Sequence, residues 1–194
     1  MDRSTVERAA AHLESLRQHL AERTYRHSVS AAGMMQSLAK EHRFSEEQAR
    51  VCGLLHDIAK RFSKDELVAL AEDYGIPITP TQCANPSLLH GPVAAEETKR
   101  LGIHDDAVYE AIYWHTTGRP ELGQLALALY FADAAEPTRT YPQAARARAI
   151  LEAEGFDAAL RYVADGKLAH VRGKAVVDPN TEAFHAWLVN RDER

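Results

Sequence analysis

The chain has 194 residues, of which 45% are hydrophobic and 26% charged, values typical of one globular domain with a sizeable core. Its formal net charge of -5 argues against general binding to nucleic acid or to an anionic membrane, although a local cationic pocket for a small anion is compatible with it. No apolar run approaches the roughly 20 residues that span a bilayer. The two cysteines lack CxxC spacing and the polar amino terminus lacks a secretory signal, so we expect a cytoplasmic protein with free thiols.

Hydrophobic residues recur at helical spacing along most of the chain, and no segment shows a convincing strand alternation. Capping-box sequences that begin at Ser45 and Ser63 predict two helix starts. The predicted helices run from Ser4 to about Glu22, from Tyr25 to His42, from Ser45 to about Lys60, from Ser63 to a stop at Gly75, from His90 onward, from Asp105 to His115, from Glu121 to Ala135, from Pro142 to Glu154, from Phe156 to Lys167 and from Pro179 to Asn190. The segment from Tyr74 to Leu89 is predicted to be a long ordered loop or lid, and Val171 to Val177 a short extended piece.

The pattern therefore predicts an all-α fold, a single helical bundle that covers residues 1–194. Candidate site residues fall between about 24 and 139, and helices between 142 and 190 complete the fold. We find no repeat, low-complexity segment or linker in the sequence that would divide the chain.

Histidines and aspartates stand against apolar helical segments at five places, namely His27, the His56-Asp57 pair, His90, His115 and Asp133. A buried carboxylate without a partner costs several kcal/mol, and imidazole nitrogen together with carboxylate oxygen suits divalent transition metals. One metal ion is therefore predicted for the set His27, His56, Asp57 and Asp133. For His90 and His115 two alternatives stay open, a second metal ion or direct contact with phosphate. Any one of these histidines alone is more often a core or capping residue, and that interpretation is kept for His12, His19, His42, His104, His170 and His185.

Phosphate chemistry requires fixed positive charge, because negative charge spreads over several oxygens in the transition state. Lys60 follows His56 by one helical turn, and Arg139 follows Asp133 just beyond a helix end. These two cations are the candidates for phosphate binding. Arg26 and Arg119 are weaker candidates, since most arginines simply lie on the surface.

The motifs together resemble those of the HD-domain metal-dependent phosphohydrolases, which have an all-α fold. More narrowly, the chain is similar to the YqeK family of bacterial HD-domain hydrolases, the symmetrical diadenosine tetraphosphate hydrolases. The segments that carry the resemblance are Tyr25-Arg26-His27-Ser28, Leu54 to Lys60 with the His-Asp pair, Leu89-His90-Gly91, His115-Thr116-Thr117-Gly118 and Ala132 to Arg139. The His-Asp pair alone is weakly specific, whereas the whole set is quite specific.

The resemblance implies a fold, a ligand set and nucleotide contacts. The fold is a single HD-domain helical bundle, and the implied metal is iron or a similar divalent ion at His27, His56, Asp57 and Asp133. The implied nucleotide contacts are Asp57, Ile58, Ala59, Lys60, His90, His115, Thr116, Asp133 and Arg139, followed by Val177, Asp178, Pro179, Asn180, Thr181 and Glu182. Asp178 stands where many relatives have a histidine, and Thr181 is also explained as a helix cap.

The implied reaction is the hydrolysis of diadenosine tetraphosphate to two ADP, with Asp57, Lys60, His90 and His115 as catalytic residues. His90 or His115 either protonates the leaving oxygen or holds a second ion. The alternatives are an HD-type hydrolase of other nucleotides such as nucleoside monophosphates, a nucleotide sensor without turnover, and an RNA- or ribosome-associated protein, which the net charge makes a poor fit. Iron, manganese, zinc and cobalt all accept this ligand set, so the metal, the number of ions and a homodimer stay open.

Overall fold

The computed structural model describes residues 1–173 and 176–191, which form eleven α-helices, two 3-10 helices and no strand. In chain order the α-helices are α1 (Arg3–Ser15), α2 (Glu22–Ala39), α3 (Glu46–Leu55), α4 (Lys64–Asp73), α5 (Pro80–Ala84), α6 (His90–Arg100), α7 (Asp106–Trp114), α8 (Gln124–Ala135), α9 (Pro142–Glu154), α10 (Phe156–Arg172) and α11 (Pro179–Arg191). The prediction of an all-α fold is confirmed. In this part of the chain, no helix has the combined length and apolar character needed to cross a membrane.

Both predicted capping boxes are present at helix starts. The Ser45 side chain accepts a hydrogen bond from the Gln48 N–H and the Gln48 side chain accepts one from the Ser45 N–H, and the box at Ser63 has the same form. The helix that follows Ser45, α3, ends at Leu55, whereas the sequence predicts an end near Lys60. Asp57 leaves helical geometry, with φ -108° and ψ 8°, and the chain continues as a 3-10 helix over Ile58–Arg61. The His-Asp pair therefore lies at a junction between two helices.

Other predicted helix boundaries are also wrong, and α2 runs from Glu22 to Ala39 instead of from Tyr25 to His42. α1 ends at Ser15 and turns follow it, so the helix does not reach Glu22. α8 begins only at Gln124, because Glu121 has a φ of 62°, outside the helical region. α10 continues past Lys167 to Arg172, so Val171 is helical and not extended, while residues 174 and 175 of that predicted piece lie outside the described residues.

The segment predicted to be a long ordered loop or lid contains two short helices. A capping box between Thr79 and Gln82 opens α5, and a 3-10 helix follows over Pro86–Leu89. Gly75, with a φ of 69°, ends α4 as its position in the sequence predicts. The segment is thereby ordered, and it leads directly into His90 at the start of α6.

α8 passes through the centre of the core. Each residue from Leu125 to Ala132 is at most 4% exposed. A helix that is apolar on all sides is stable only when other elements surround it. Asp133 follows this buried stretch, so the core positions that carboxylate from inside the bundle.

A glycine on α3 allows this helix to approach α2 closely. A Cβ atom at Gly53 would lie 2.9 Å from the carbonyl carbon of Ala31 and closer still to the backbone of Ala32. Any larger residue would separate the two backbones. This contact brings His27 on α2 next to His56 at the end of α3.

A second glycine has the same role between α6 and α7. A Cβ atom at Gly91 would lie 2.8 Å from the carbonyl oxygen of Tyr113 and 3.4 Å from the ring of His115. The close approach of these helices brings His90 next to His115.

Candidate metal and phosphate site

One group of ligand-type side chains comes from α2, from the end of α3 and from α8, and consists of His27, His56, Asp57 and Asp133. The Nε2 atom of His27 lies 3.1 Å from His56 Nε2, 3.1 Å from Asp133 Oδ1 and 3.6 Å from Asp57 Oδ2. Ligands about 2.0–2.2 Å from a shared ion are separated by roughly 3.0–3.5 Å. The group predicted from the sequence is therefore assembled at the spacing that one ion requires.

A second group shares Asp57 and adds His90 and His115. The Nε2 atoms of the two histidines are 3.0 Å apart and lie 3.5 and 3.4 Å from Asp57 Oδ1. The hydroxyl of Thr116 lies 3.1 and 3.2 Å from the same two nitrogens. The two oxygens of one carboxylate thus face two different histidine pairs.

All four imidazoles have their Nδ1 atom held by an acceptor. His27 Nδ1 lies 3.0 Å from Glu136 Oε1, and the other three donate to the carbonyl three residues earlier, His56 to Gly53 at 2.9 Å, His90 to Ser87 at 2.6 Å and His115 to Ile112 at 2.7 Å. Carbonyl and carboxylate oxygens only accept, so each Nδ1 carries the proton. The four Nε2 atoms consequently face the site, which is the usual arrangement of histidine ligands.

The protonation of the histidines differs with their surroundings. Burial opposes a charge on His27, but the carboxylates of Asp133 and Asp57 outweigh it and raise the pKa of the imidazole. Burial lowers the pKa of His56 to about 3, and it also lowers the pKa of His115. A cation bound between these rings would displace the proton from His27 Nε2 and find the other two rings already neutral.

The two carboxylates are charged although Asp57 is buried and Asp133 is partly buried. Burial would raise the pKa of Asp57, yet the Lys60 ammonium group holds it well below its usual range, and Lys167 has the same effect on Asp133. Within the described residues, the buried Asp57 Oδ1 atom has no hydrogen-bond partner. An unsatisfied buried charge of this kind is costly, and a divalent cation between Asp57 and the second histidine pair would compensate it. The residues present therefore fit metal ions in both groups.

Both predicted phosphate-binding cations contact the ligand carboxylates. The Nζ atom of Lys60 donates to Asp57 Oδ2 at 2.7 Å, and its side chain is 37% exposed. Arg139 Nη2 donates to Asp133 Oδ1 at 3.1 Å, and Arg139 Nε donates to the Asp133 carbonyl at 3.1 Å. The two cations thus flank the site where an anion would enter.

The two weaker candidates do not join this cluster. Arg26 is exposed on α2, and Arg119 pairs with Glu110 and lies 5.9 Å from the ring of Trp114. Among the contacts of the described residues, neither arginine bonds a member of the two ligand groups.

Comparison with known proteins identifies the family. Residues 24–138 match the HD domain family, and this range includes every candidate ligand. The chain belongs to the HD domain family.

Similar relatives of this HD protein match it over most of their length. A symmetrical bis(5'-nucleosyl)-tetraphosphatase of Bacillus subtilis is 28% identical over 92% of this chain and 96% of the relative. A protein of the same name from Halalkalibacterium halodurans is 31% identical over 70% of this chain and 73% of the relative. In a crystal structure, a predicted HD superfamily hydrolase involved in NAD metabolism from Clostridium acetobutylicum is 30% identical and superposes with a TM-score of 0.86 over 92% of this chain and 95% of that one.

Two further residues of the HD site escape sequence reasoning. Glu136 is fully buried and accepts from His27 Nδ1, and it also accepts from the backbone N–H and the hydroxyl of Thr138. Lys167, on α10, lies 3.5 Å from Asp133 Oδ2. The Glu-Pro-Thr sequence was a local signal for a buried turn near Asp133, whereas nothing local to Lys167 distinguishes it from a surface lysine.

The remaining predicted nucleotide contacts lie in two places. Ile58 and Ala59 are fully buried in the core, with neither side chain nor backbone exposed. Asp178 and Asn180 line a cleft of about 210 Å³ beside Thr116. Its other lining residues are Pro77, Thr79, Gln82, Leu88, Pro92, Tyr113, Trp114 and Thr117.

The start of α11 forms the carboxyl-terminal wall of this cleft. Asp178 Oδ1 accepts from the backbone N–H and the side-chain amide of Asn180, so Asp178 makes the capping contacts that the sequence alternatively suggests for Thr181. Of the other predicted contacts, Val177 is half-buried, Pro179 is exposed and Glu182 is exposed at 3.4 Å from Arg172.

Proposed function

We propose that this HD protein is a metal-dependent phosphohydrolase that cleaves diadenosine tetraphosphate symmetrically into two ADP. The observation that carries the proposal is the pair of ligand groups that share Asp57, with Lys60 and Arg139 on either side. Such a centre provides both Lewis acids and fixed positive charge for a polyphosphate. The names of the bacterial relatives supply the substrate.

The geometry favours two ions over one. His27, His56 and Asp133 would hold the first, His90 and His115 would hold the second, and Asp57 belongs to both groups. We propose iron as the metal, although imidazole and carboxylate ligands also accept manganese, cobalt and zinc. When bound, divalent ions would polarise phosphoryl oxygens and acidify water.

The reaction adds one water oxygen to a β-phosphorus of the substrate. The bond from that phosphorus to the central bridging oxygen breaks, and the bridging oxygen leaves with the second ADP. Lys60 and Arg139 would neutralise the charge that develops on the phosphates, while Asp57 stays ionised as a ligand. His90 and His115 would act as ligands in the two-ion site, or donate the proton to the departing oxygen if a single ion is bound.

The cleft beside Thr116 is the place where we expect one nucleoside. Tyr113 and Trp114 provide aromatic surface there, and Asp178 and Asn180 provide polar groups. Ligand sites commonly combine an apolar wall with a few polar groups that fix orientation. Thr116 lines this cleft and its hydroxyl lies 3.1 and 3.2 Å from the Nε2 atoms of His90 and His115, so a nucleoside in the cleft would have its phosphates close to the second ligand group.

The test uses protein purified without oxygen, elemental analysis, and chromatography of the products in ¹⁸O-labelled water. We expect ADP as the only nucleotide product, with one ¹⁸O atom in one of every two ADP molecules. The His56→Ala variant should lose metal and activity but keep its helical circular dichroism. The matched control His104→Ala, at an exposed position, should keep its metal content, its activity and its helical circular dichroism. ATP with AMP, or no turnover, would overturn the proposal.

The same assay separates the alternatives. Inorganic phosphate from nucleoside monophosphates would indicate a different HD-type hydrolase, and tight nucleotide binding without turnover across metals would indicate a sensor. We also propose a cytoplasmic protein and a homodimer, which cell fractionation and light scattering test directly.

A further inference from the structure

Lys167 approaches the site from α10, outside the residues that match the HD domain family. Its Nζ atom lies 3.5 Å from Asp133 Oδ2 and 3.4 Å from the carbonyl oxygen of His115. Asp133 belongs to the first ligand group and His115 to the second. The ammonium group therefore lies beside the carboxylate of Asp133 and the backbone of His115.

The ammonium group is held in this position by an aromatic ring. Nζ lies 3.8 Å from the centroid of the Tyr130 ring, which is 1% exposed and packs edge-on against Phe184. A cation over a buried aromatic face is attracted to it without using its N–H donors in conventional hydrogen bonds. The ring thus fixes the charge but leaves its donors available.

Lys167 differs in this respect from the other two cations of the site. Lys60 and Arg139 make hydrogen bonds of 2.7 and 3.1 Å to ligand carboxylates, whereas both oxygen contacts of Lys167 are at the upper limit for a hydrogen bond. Its side chain is 25% exposed, so an anion can reach it. Three donors on a compact charge suit a phosphate oxygen.

We propose that Lys167 is a catalytic residue that binds a phosphate oxygen of the polyphosphate chain next to Asp133. This inference rests on the proposed phosphohydrolase function and adds a contact from the carboxyl-terminal part of the chain. The alternative is a structural role, in which Lys167 only neutralises Asp133 and attaches α10 to the core.

The decisive variant is Lys167→Met, which keeps the aliphatic stem against Tyr130 and removes the charge. We expect kcat/KM for diadenosine tetraphosphate to fall by about 10²–10³-fold, the range seen when one stabilising donor is removed from a transition state. Affinity for inorganic tripolyphosphate, measured by calorimetry on the metal-loaded protein, should fall at least about tenfold, the equivalent of one charge-assisted contact. Metal content and melting temperature should match the wild type, as they should in the exposed control Lys64→Met.

Each outcome decides between the two roles. If metal content or melting temperature falls together with activity in Lys167→Met, the role is structural and the inference is overturned. Unchanged tripolyphosphate affinity and unchanged activity would also overturn it. Partial recovery of tripolyphosphate affinity in Lys167→Arg, with metal content unchanged, would support phosphate binding. If the wild type binds tripolyphosphate through Lys167 but does not hydrolyse the dinucleotide, the proposed reaction fails and the phosphate contact stands.

Discussion

Gly53→Ala tests whether helix contact assembles the first ligand group. The added Cβ atom would lie 2.9 Å from the carbonyl carbon of Ala31. Carbon atoms in contact are normally about 3.5–4.0 Å apart, so α2 and α3 must separate by roughly 0.6 Å or more. Catalytic and metal sites tolerate displacements of only about 0.5 Å. We therefore expect the variant to bind metal poorly, because His27 and His56 lie on opposite sides of this contact.

The expected loss of stability follows from two opposing effects. Overpacking costs typically about 1–3 kcal/mol, and here backbone atoms and not flexible side chains must move, so we take the upper end. Alanine gains about 1 kcal/mol over glycine in a helix interior. The net loss is then about 2 kcal/mol, which corresponds to roughly 4–8 °C in melting temperature for a domain of this size.

The assay is thermal unfolding of the metal-free protein together with metal titration. Gly33→Ala is the matched control, because no atom lies within 4 Å of a Cβ built there on α2. That variant should be as stable as the wild type or slightly more stable, with unchanged metal affinity. A Gly53→Ala protein with wild-type melting temperature and metal affinity would refute the reasoning that this contact determines the site.

Three further predictions concern the ligands themselves. Glu136→Gln removes the carboxylate that accepts from His27, and metal affinity in a chelator-buffered titration should fall about 10–100-fold, whereas an unchanged affinity would exclude this orienting role. His115→Ala should lower the metal content measured by elemental analysis by one ion per chain, and a constant content would assign His115 to phosphate. The pKa of His56 is about 3 in the folded protein and 6.5 in the unfolded chain. Between these two pH values the unfolded chain therefore binds a proton at His56 that the folded protein does not. His56 should therefore reduce the stability of the metal-free protein by up to about 1.4 kcal/mol per pH unit as the pH falls from 6.5 towards 3, while the raised pKa of His27 acts in the opposite direction; a His56→Gln variant whose urea midpoint has the same pH dependence as the wild type would contradict this.

The sequence predicts the first ligand group because each member has a local signal. His27, His56 and Asp133 are polar residues next to apolar helical stretches, and such residues need a compensating partner. The spacing along the chain does not show which residues meet, and the resemblance to a family supplies that information. Asp57 also faces His90 and His115 through its Oδ1 atom. This contact depends on the orientation of one side chain and is visible only in three dimensions.

The helix ends and the contacts from distant helices are predicted less well. The end of α3 depends on backbone dihedrals at Asp57, and the late start of α8 depends on a positive φ at Glu121. Lys167 stands on an amphipathic helix among other charged residues, and its position above Tyr130 results from how α10 packs on α8. The residue pattern along the chain does not predict how these two helices pack.

Three of the four histidine rings are tethered within their own helical turn. His56, His90 and His115 each donate to the carbonyl three residues earlier, in α3, in the 3-10 helix Pro86–Leu89 and in α7 respectively. Carbonyls in the last turn of an α-helix lack an amide partner within the helix, so the tethers of His56 and His115 use such acceptors, whereas the Ser87 carbonyl also accepts the backbone N–H of His90. Local hydrogen bonds thus fix the orientation of these rings, and no bound ion is needed for it. Metal exchange at this centre should then proceed without refolding, and the empty protein should already present its nitrogen atoms to the next ion.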